Sequence, residues 1–177
     1  MILHPTKVGC FFYLSFPQYG IISIYMFKGV HMKVSKNLLK AITLCAKAHE
    51  GQFDKSGVPY IYHPLKVAQN AVDLGFNDEN TIIAALLHDV AEDTDITIEE
   101  LTSEFGEEVG AALSLLNHDK DVPYMDYVKA LKDNNIARAV KMADLTHNMD
   151  LSRLKEVSDK DLERVKKYNE AYKLLEI

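Results

Sequence analysis

Tryptophan is absent from the 177 residues, cysteine occurs twice, and glycine and proline are held to eight and five. Cys10 and Cys45 have neither metal spacing nor further partners. They exclude a disulfide-stapled scaffold and point to a reducing compartment, so the expected location is cytoplasmic. The low glycine and proline content excludes collagen-like and low-complexity chains. Also missing is any run of Lys and Arg, since 20 cations stand against 26 acids for a formal charge of −6. Duplex nucleic acid is bound through clustered basic residues that release counterions, so no partner of that class is expected. What is present is ordinary globular composition, 47% apolar and 26% charged. A single domain of this length buries about 70% of its unfolded surface without covalent help.

A second absence is local. Residues 1–31 contain no Asp or Glu, only Lys7 and Lys28 as cations, and seven of the aromatic residues. The stretch 8–27 is uncharged for 20 residues, about the length of a membrane-spanning helix. Pro17, Gln18 and Gly20 interrupt it, and β-branched and aromatic residues dominate it. No small-residue cleavage site marks a secretory signal. Three readings stay open: an extension before a true start at Met32, a membrane anchor, or a strand or hairpin packed on the main domain. Membrane contact is expected only if residues 8–27 are an anchor. An anchor would leave the domain cytoplasmic, because Lys28, Lys33, Lys36 and Lys40 on one side outnumber Lys7 on the other. The expected organisation is a hydrophobic extension over 1–31 and one domain over 32–177.

From residue 34 onward the periodicity is helical throughout. Leu38, Ile42, Cys45 and His49 follow Ser35, an N-cap residue, and Gly51 ends the run. Asp54 to Gly57 reads as a turn. His63-Pro64 opens a second helix, with Pro at its first position and Gly75 beyond its end. Asp78 caps a third, whose body from Ile82 to Leu87 is apolar all round and therefore central. Thr97 and Glu100 form a capping box for a short helix through Phe105. Further helices carry Val109 to Leu116, Tyr127 to Leu131 after Pro123, Ile136 to Ala143 capped by Asn135, and Leu162 to Leu175 capped by Ser158, with Leu162, Val165, Tyr172 and Leu175 facing inward. No part of 32–177 alternates with period two for long, and there is no internal repeat. The fold class expected is all-α.

Chemistry-bearing residues gather at three places. The first is His88-Asp89-Val90-Ala91-Glu92-Asp93, ending the most apolar helix. His88 and Glu92 are four apart, as are Asp89 and Asp93, so one side of a continuous helix would carry all four groups. A buried helix that finishes in three carboxylates and an imidazole needs a cation to offset their desolvation. The second place is His63, and the third is Asp144 on an otherwise apolar helix face. Two imidazoles and two carboxylates suit a divalent ion of intermediate hardness, Mn²⁺ or Fe²⁺ more than closed tetrahedral Zn²⁺. Taken singly, each has a plainer reading. A His before Pro is commonly an N-cap, and an Asp on a helix face is commonly solvated or paired.

The segments AHEGQFDKSGVPYIYHPL (48–65), TIIAALLHDVAEDTDIT (81–97), FGEEV (105–109) and KMADLTHNM (141–149) together resemble the HD domain. More narrowly, they are similar to the hydrolase domain of RelA/SpoT-type alarmone enzymes and of stand-alone small alarmone hydrolases. The resemblance runs in order from about 38 to 155. It implies a helical HD bundle with His63, His88, Asp89 and Asp144 as Mn²⁺ ligands, Fe²⁺ or Co²⁺ being alternatives. It further implies Glu92 and Asp93 as the acidic pair that positions and deprotonates the attacking water. Lys55 and Ser56 match the nucleotide-binding loop, and Asn148 matches a nucleotide-side contact.

The activity implied is metal-dependent hydrolysis of guanosine-3′,5′-bis(diphosphate), ppGpp, with release of pyrophosphate. One helix after residue 155 leaves no room for a synthetase domain, so only the hydrolytic half of that chemistry is expected. Two departures bear on specificity. Asp54 stands where full-length relatives usually carry an Arg against the guanine base, and Asp150-Leu151 stands where they carry Arg-Thr. Alternatives are an HD hydrolase acting on another nucleotide or phosphorylated metabolite, and a metal-bound regulatory module without turnover. His147 reads either as a support for a ligand or as a core histidine, and His49 as structural or supporting.

Overall fold

The computed structural model describes residues 11–16, 20–25, 35–154 and 156–176. Cys10, Met32 and the cations Lys7, Lys28 and Lys33 lie outside the described residues. The chain divides into two units, Met1–Val34 and Ser35–Ile177.

In the first unit, β1 (Phe11–Phe16) pairs antiparallel with β2 (Gly20–Tyr25), from Phe11 opposite Tyr25 to Phe16 opposite Gly20. Over these residues the backbone is extended, where an anchor of the helical kind would require helix. Branched and aromatic side chains favour the pleated form. Among the described residues no helix is long and apolar enough to cross a membrane.

Among the described residues the second unit is built of helices, with one isolated bridge between Phe53 and Pro59. Its elements are α1 (Lys36–Ala48), α2 (Tyr62–Asp73), α3 (Glu79–Leu87), α4 (Val90–Asp93), α5 (Ile98–Phe105), α6 (Glu107–Leu116), α7 (Tyr124–Ala130), α8 (Asn135–Asn148) and α9 (Asp159–Leu175), with a 3₁₀ turn at Leu151–Arg153. Every α3 residue from Thr81 to Leu87 is buried. The helix is enclosed because α1, α2, α6 and α8 all pack on it. Fully burying a Leu or Ile contributes about 1.5–3 kcal/mol, so α3 is the mechanical centre and fixes where its C-terminal residues stand.

Local signals set the helix starts. Ser35, Asp78 and Ser158 accept the backbone N–H of Leu38, Thr81 and Asp161, and Thr97 with Glu100 completes a capping box. Gly106, at φ +95°, both ends α5 and precedes α6. A Cβ at Gly110 would lie 2.0 Å from Thr102 Oγ1, so the close approach of α5 and α6 requires glycine there.

Four expectations are corrected. α8 is capped by Asn134, whose side chain accepts from Ala137 N–H, and Asn135 is its first residue. Pro64 is the third residue of α2, because the turn at Pro59–Ile61 already has helical hydrogen bonding to Tyr62 and His63. Leu162 is exposed, and the buried residues of α9 are Ala171 and Leu175. The apolar helix does not run on through Asp93. It stops at Leu87, and His88 and Asp89 form a turn before α4.

Candidate metal centre

That turn is what brings the first group of residues together. His88, at the C-cap of α3, is buried and Asp89 nearly so, while Glu92 and Asp93 stand exposed one turn further on. The His88 Nδ1 atom lies 2.8 Å from the carbonyl oxygen of Ala85. A carbonyl only accepts, so Nδ1 is the donor there and Nε2 is the nitrogen that faces inward.

From α2, His63 turns its Nε2 onto the same point, 3.2 Å from His88 Nε2. The carboxylates complete the group. His63 Nε2 lies 3.3 Å from Asp89 Oδ2 and 3.4 Å from Asp144 Oδ1, and His88 Nε2 lies 3.3 Å from Asp89 Oδ1. One ligand atom from each of His63, His88 and Asp144 falls within 4.8 Å of the others. Separations of this size are the edges of a coordination polyhedron whose metal–ligand bonds are roughly 2.0–2.4 Å long. Imidazole nitrogens and carboxylate oxygens crowded together out of water need a cation among them, carried as protons on the imidazoles or supplied by a metal ion. The donor set fits a divalent ion.

The groups behind these four are equally ordered. His63 Nδ1 meets His147 Nδ1 at 2.7 Å, and the two rings stack with centroids 4.9 Å apart. Tyr60 donates its hydroxyl proton to Asp89 Oδ2 at 2.7 Å. Asn148 donates its amide to Asp144 Oδ1, and Lys141 donates to Asp144 Oδ2 at 3.0 Å. Buried Asn70 on α2 donates to the carbonyl of Ala143, tying the two ligand-bearing helices beside Asp144.

Electrostatics follow from this packing. Burial pushes the Asp89 carboxyl up, but the charge of His88 and the hydrogen bonds from His63 and Tyr60 outweigh it and hold it well below the usual carboxylate range. Asp144 is likewise lowered, because Lys141, His63 and His88 together override its burial. Asp93 goes the other way: exposed as the residue is, partial desolvation of its carboxyl raises it, and the charge of Asp89 adds to the rise. Burial alone would lower Lys141, yet Asp144 keeps its ammonium above the ordinary value. The Tyr124 hydroxyl is pushed up to about 12 by burial, against the charge of Lys141.

Lys55 and Ser56 are exposed in the turn between Asp54 and Gly57. The structure assigns Asp54 a local task, since its Oδ1 accepts the backbone N–H of Ser56 at 2.8 Å and of Val58 at 2.9 Å. Asp150 acts similarly, accepting from the backbone and hydroxyl of Ser152 to start the 3₁₀ turn. The sequence reading missed Tyr60, Lys141 and a group around Tyr124, whose ring lies 4.5 Å from Lys167 Nζ and 5.9 Å from Lys141 Nζ. Lys141 was visible in principle, three residues before Asp144 on a helix. No spacing rule connects Tyr60 with Asp89.

A helical bundle that brings His63, His88 and Asp144 together, with Asp89 against both imidazoles, has a donor set able to hold a divalent ion. The chain belongs to the HD domain family, which it matches over residues 41–139. It is 38% identical over 125 residues to a guanosine-3′,5′-bis(diphosphate) 3′-pyrophosphohydrolase of Danio rerio, an alignment covering 66% of this chain and 69% of that protein. It is 40% identical over 124 residues to a GTP pyrophosphokinase of Myxococcus xanthus, covering 62% of this chain but 16% of that one. The chain thus spans about a sixth of such long relatives. The solved structure of a metazoan ortholog of SpoT superposes with a TM-score of 0.66 at 24% identity, over 81% of this chain and 88% of that one, and shares its fold.

Proposed function

We propose that the chain is a metal-dependent phosphohydrolase that releases pyrophosphate from the 3′ position of ppGpp-type nucleotides. The meeting of His63, His88 and Asp144, with Asp89 within 3.3 Å of both imidazoles, carries this reading. The likeness to the Danio rerio hydrolase, of which the chain covers 69%, supports the substrate class.

In this reading the four side chains hold Mn²⁺, with Fe²⁺ or Co²⁺ suited to the same mixed nitrogen and oxygen donors. A divalent ion so held would polarise a phosphate oxygen and lower the pKa of bound water. Glu92 and Asp93, exposed on α4, position the attacking water and take its proton, a role worth roughly 10²–10⁴ in rate. The raised carboxyl of Asp93 suits proton acceptance better than the depressed ones of Asp89 and Asp144. Water adds to the phosphorus nearest the sugar, the bond from that phosphorus to the 3′ oxygen breaks, the 3′ oxygen takes up a proton, and a nucleoside diphosphate and pyrophosphate leave. Lys55 and Ser56 attract the anionic substrate from the exposed turn. Asn148 fixes the Asp144 oxygen through its amide nitrogen and turns its carbonyl oxygen and second N–H to the nucleotide. A cytoplasmic location fits a nucleotide substrate and the reduced Cys45.

A second substrate reading has its own support. Asp54 and Asp150 occupy positions where cations would favour guanine and its phosphates, which suits another phosphorylated nucleotide. The test is pyrophosphate and phosphate release from a nucleotide panel containing ppGpp, with Mn²⁺ and with chelator. Chelator-sensitive pyrophosphate release from ppGpp supports the first reading, and turnover of other nucleotides alone supports the second.

A further inference from the structure

Tyr60 belongs to neither the helices nor the proposed ligand set, yet it is held as firmly as either. Its backbone N–H donates to the carbonyl of Gln52 at 2.9 Å, closing the loop that carries the 54–57 turn. Its ring packs against His49, centroids 5.0 Å apart, and against His63 at 5.6 Å. His49 is itself buried and anchored, its Nδ1 lying 2.8 Å from Gln52 Oε1. Gln52 Nε2 in turn donates to the main-chain carbonyl of Asp93. Because that amide donates through nitrogen, its oxygen accepts, and His49 is the donor to it.

The result is a hydroxyl held against Asp89 Oδ2, with the Asp93 carboxyl also within its reach. A carboxylate only accepts, so Tyr60 donates to Asp89 Oδ2 at 2.7 Å. A hydrogen bond of this length to an ionised acceptor is among the stronger kinds. It fixes the Asp89 carboxylate rotamer and draws on the lone pairs of Oδ2. The other oxygen, Oδ1, 3.3 Å from His88 Nε2, is left as the better donor.

We propose that Tyr60 is a positioning residue that sets the Asp89 carboxylate for divalent-ion binding, with His49 and Gln52 holding Tyr60 in place. This rests on the reading of Asp89 as a ligand. Removing an outer partner of a metal ligand typically weakens metal binding about 10–100-fold. Tyr60→Phe keeps the ring between His49 and His63 and deletes only the hydroxyl.

The experiment is titration of the metal-free full chain with Mn²⁺ alone, for wild type, Tyr60→Phe and Asp89→Ala, with thermal melting and helix content read in parallel. The expected result is Mn²⁺ binding weakened about 10–100-fold in Tyr60→Phe at unchanged helix content, and more strongly weakened in Asp89→Ala. Wild-type affinity in Tyr60→Phe beside loss in Asp89→Ala overturns the positioning role and leaves Asp89 a ligand. Wild-type affinity in Asp89→Ala overturns the ligand reading and the proposal with it. Weakened binding that tracks lost helix content in Tyr60→Phe marks a structural role and also overturns it. Gln52→Met, which leaves the hydroxyl but loosens its support, is expected to lie between wild type and Tyr60→Phe.

Discussion

Lys141 and Asp144 form an ion pair at 3.0 Å one turn apart on α8, with side chains only 15% and 7% exposed. A buried carboxylate already facing two imidazoles and a second carboxylate depends on this ammonium when no other cation is near. Lys141→Met should therefore destabilise the metal-free protein, toward the lower end of the roughly 3–5 kcal/mol typical of broken buried pairs, because His63 and His88 still face Asp144. Saturating Mn²⁺ should recover much of the loss, since binding to the folded state alone stabilises it. Melting temperatures with and without Mn²⁺ check both halves.

The contact between His63 and His147 leads to a second expectation. Their Nδ1 atoms are 2.7 Å apart, and this bond fixes which His63 nitrogen faces the carboxylates. His147→Phe retains a stacked ring but no nitrogen. Mn²⁺ affinity should fall about 10–100-fold with the fold intact, as read by equilibrium titration.

Much of the fold was legible because its signals are local. Ser35, Asp78, Thr97 with Glu100, and Ser158 each act within three residues of themselves. The unbroken apolar run from Ile82 to Leu87 likewise announced a central helix, and α3 is one. The end of that helix was not legible, since helical spacing continues through His88, Glu92 and Asp93 while the chain turns at His88-Asp89. Nor was the task of Asp54, because a carboxylate that caps its own turn has the same sequence signature as one facing a substrate. The proposed ligand set came from family resemblance. Its members lie on α2, after α3 and on α8, and only tertiary packing makes them neighbours.

Asp54 accordingly has two effects that substitutions can separate. Asp54→Asn keeps an acceptor for the N–H groups of Ser56 and Val58 and removes the charge. Its kcat/KM for ppGpp should rise up to roughly fivefold, the scale of one screened charge of about 1 kcal/mol. Asp54→Arg adds a cation but loses the turn's hydrogen bonds, each worth about 0.5–1.5 kcal/mol. Its gain should be partly offset by a less ordered Lys55-Ser56 turn. Steady-state kinetics on the three proteins at equal Mn²⁺ decides this, and a fall in Asp54→Asn would count against charge repulsion.

Asp93 gives the pH dependence. Burial first, and the charge of Asp89 second, raise its carboxyl above the ordinary value, which is about 3.9 for aspartate. A base must be deprotonated, so kcat should fall as pH drops through the Asp93 value, and a bound cation, which opposes the charge of Asp89, should bring that value back toward the ordinary one. Asp93→Asn should remove this acid limb and reduce kcat by about 10²–10⁴. A pH–rate profile that keeps the limb in Asp93→Asn would assign it to another group.

The central claim is that four side chains from three parts of the bundle hold one divalent ion. Its most direct test is the metal content of wild type and Asp144→Ala after equilibration with Mn²⁺ and removal of free metal, with helix content measured alongside. The account predicts about one Mn²⁺ per wild-type chain and none retained by a still-helical Asp144→Ala. Full Mn²⁺ occupancy in that variant would contradict it.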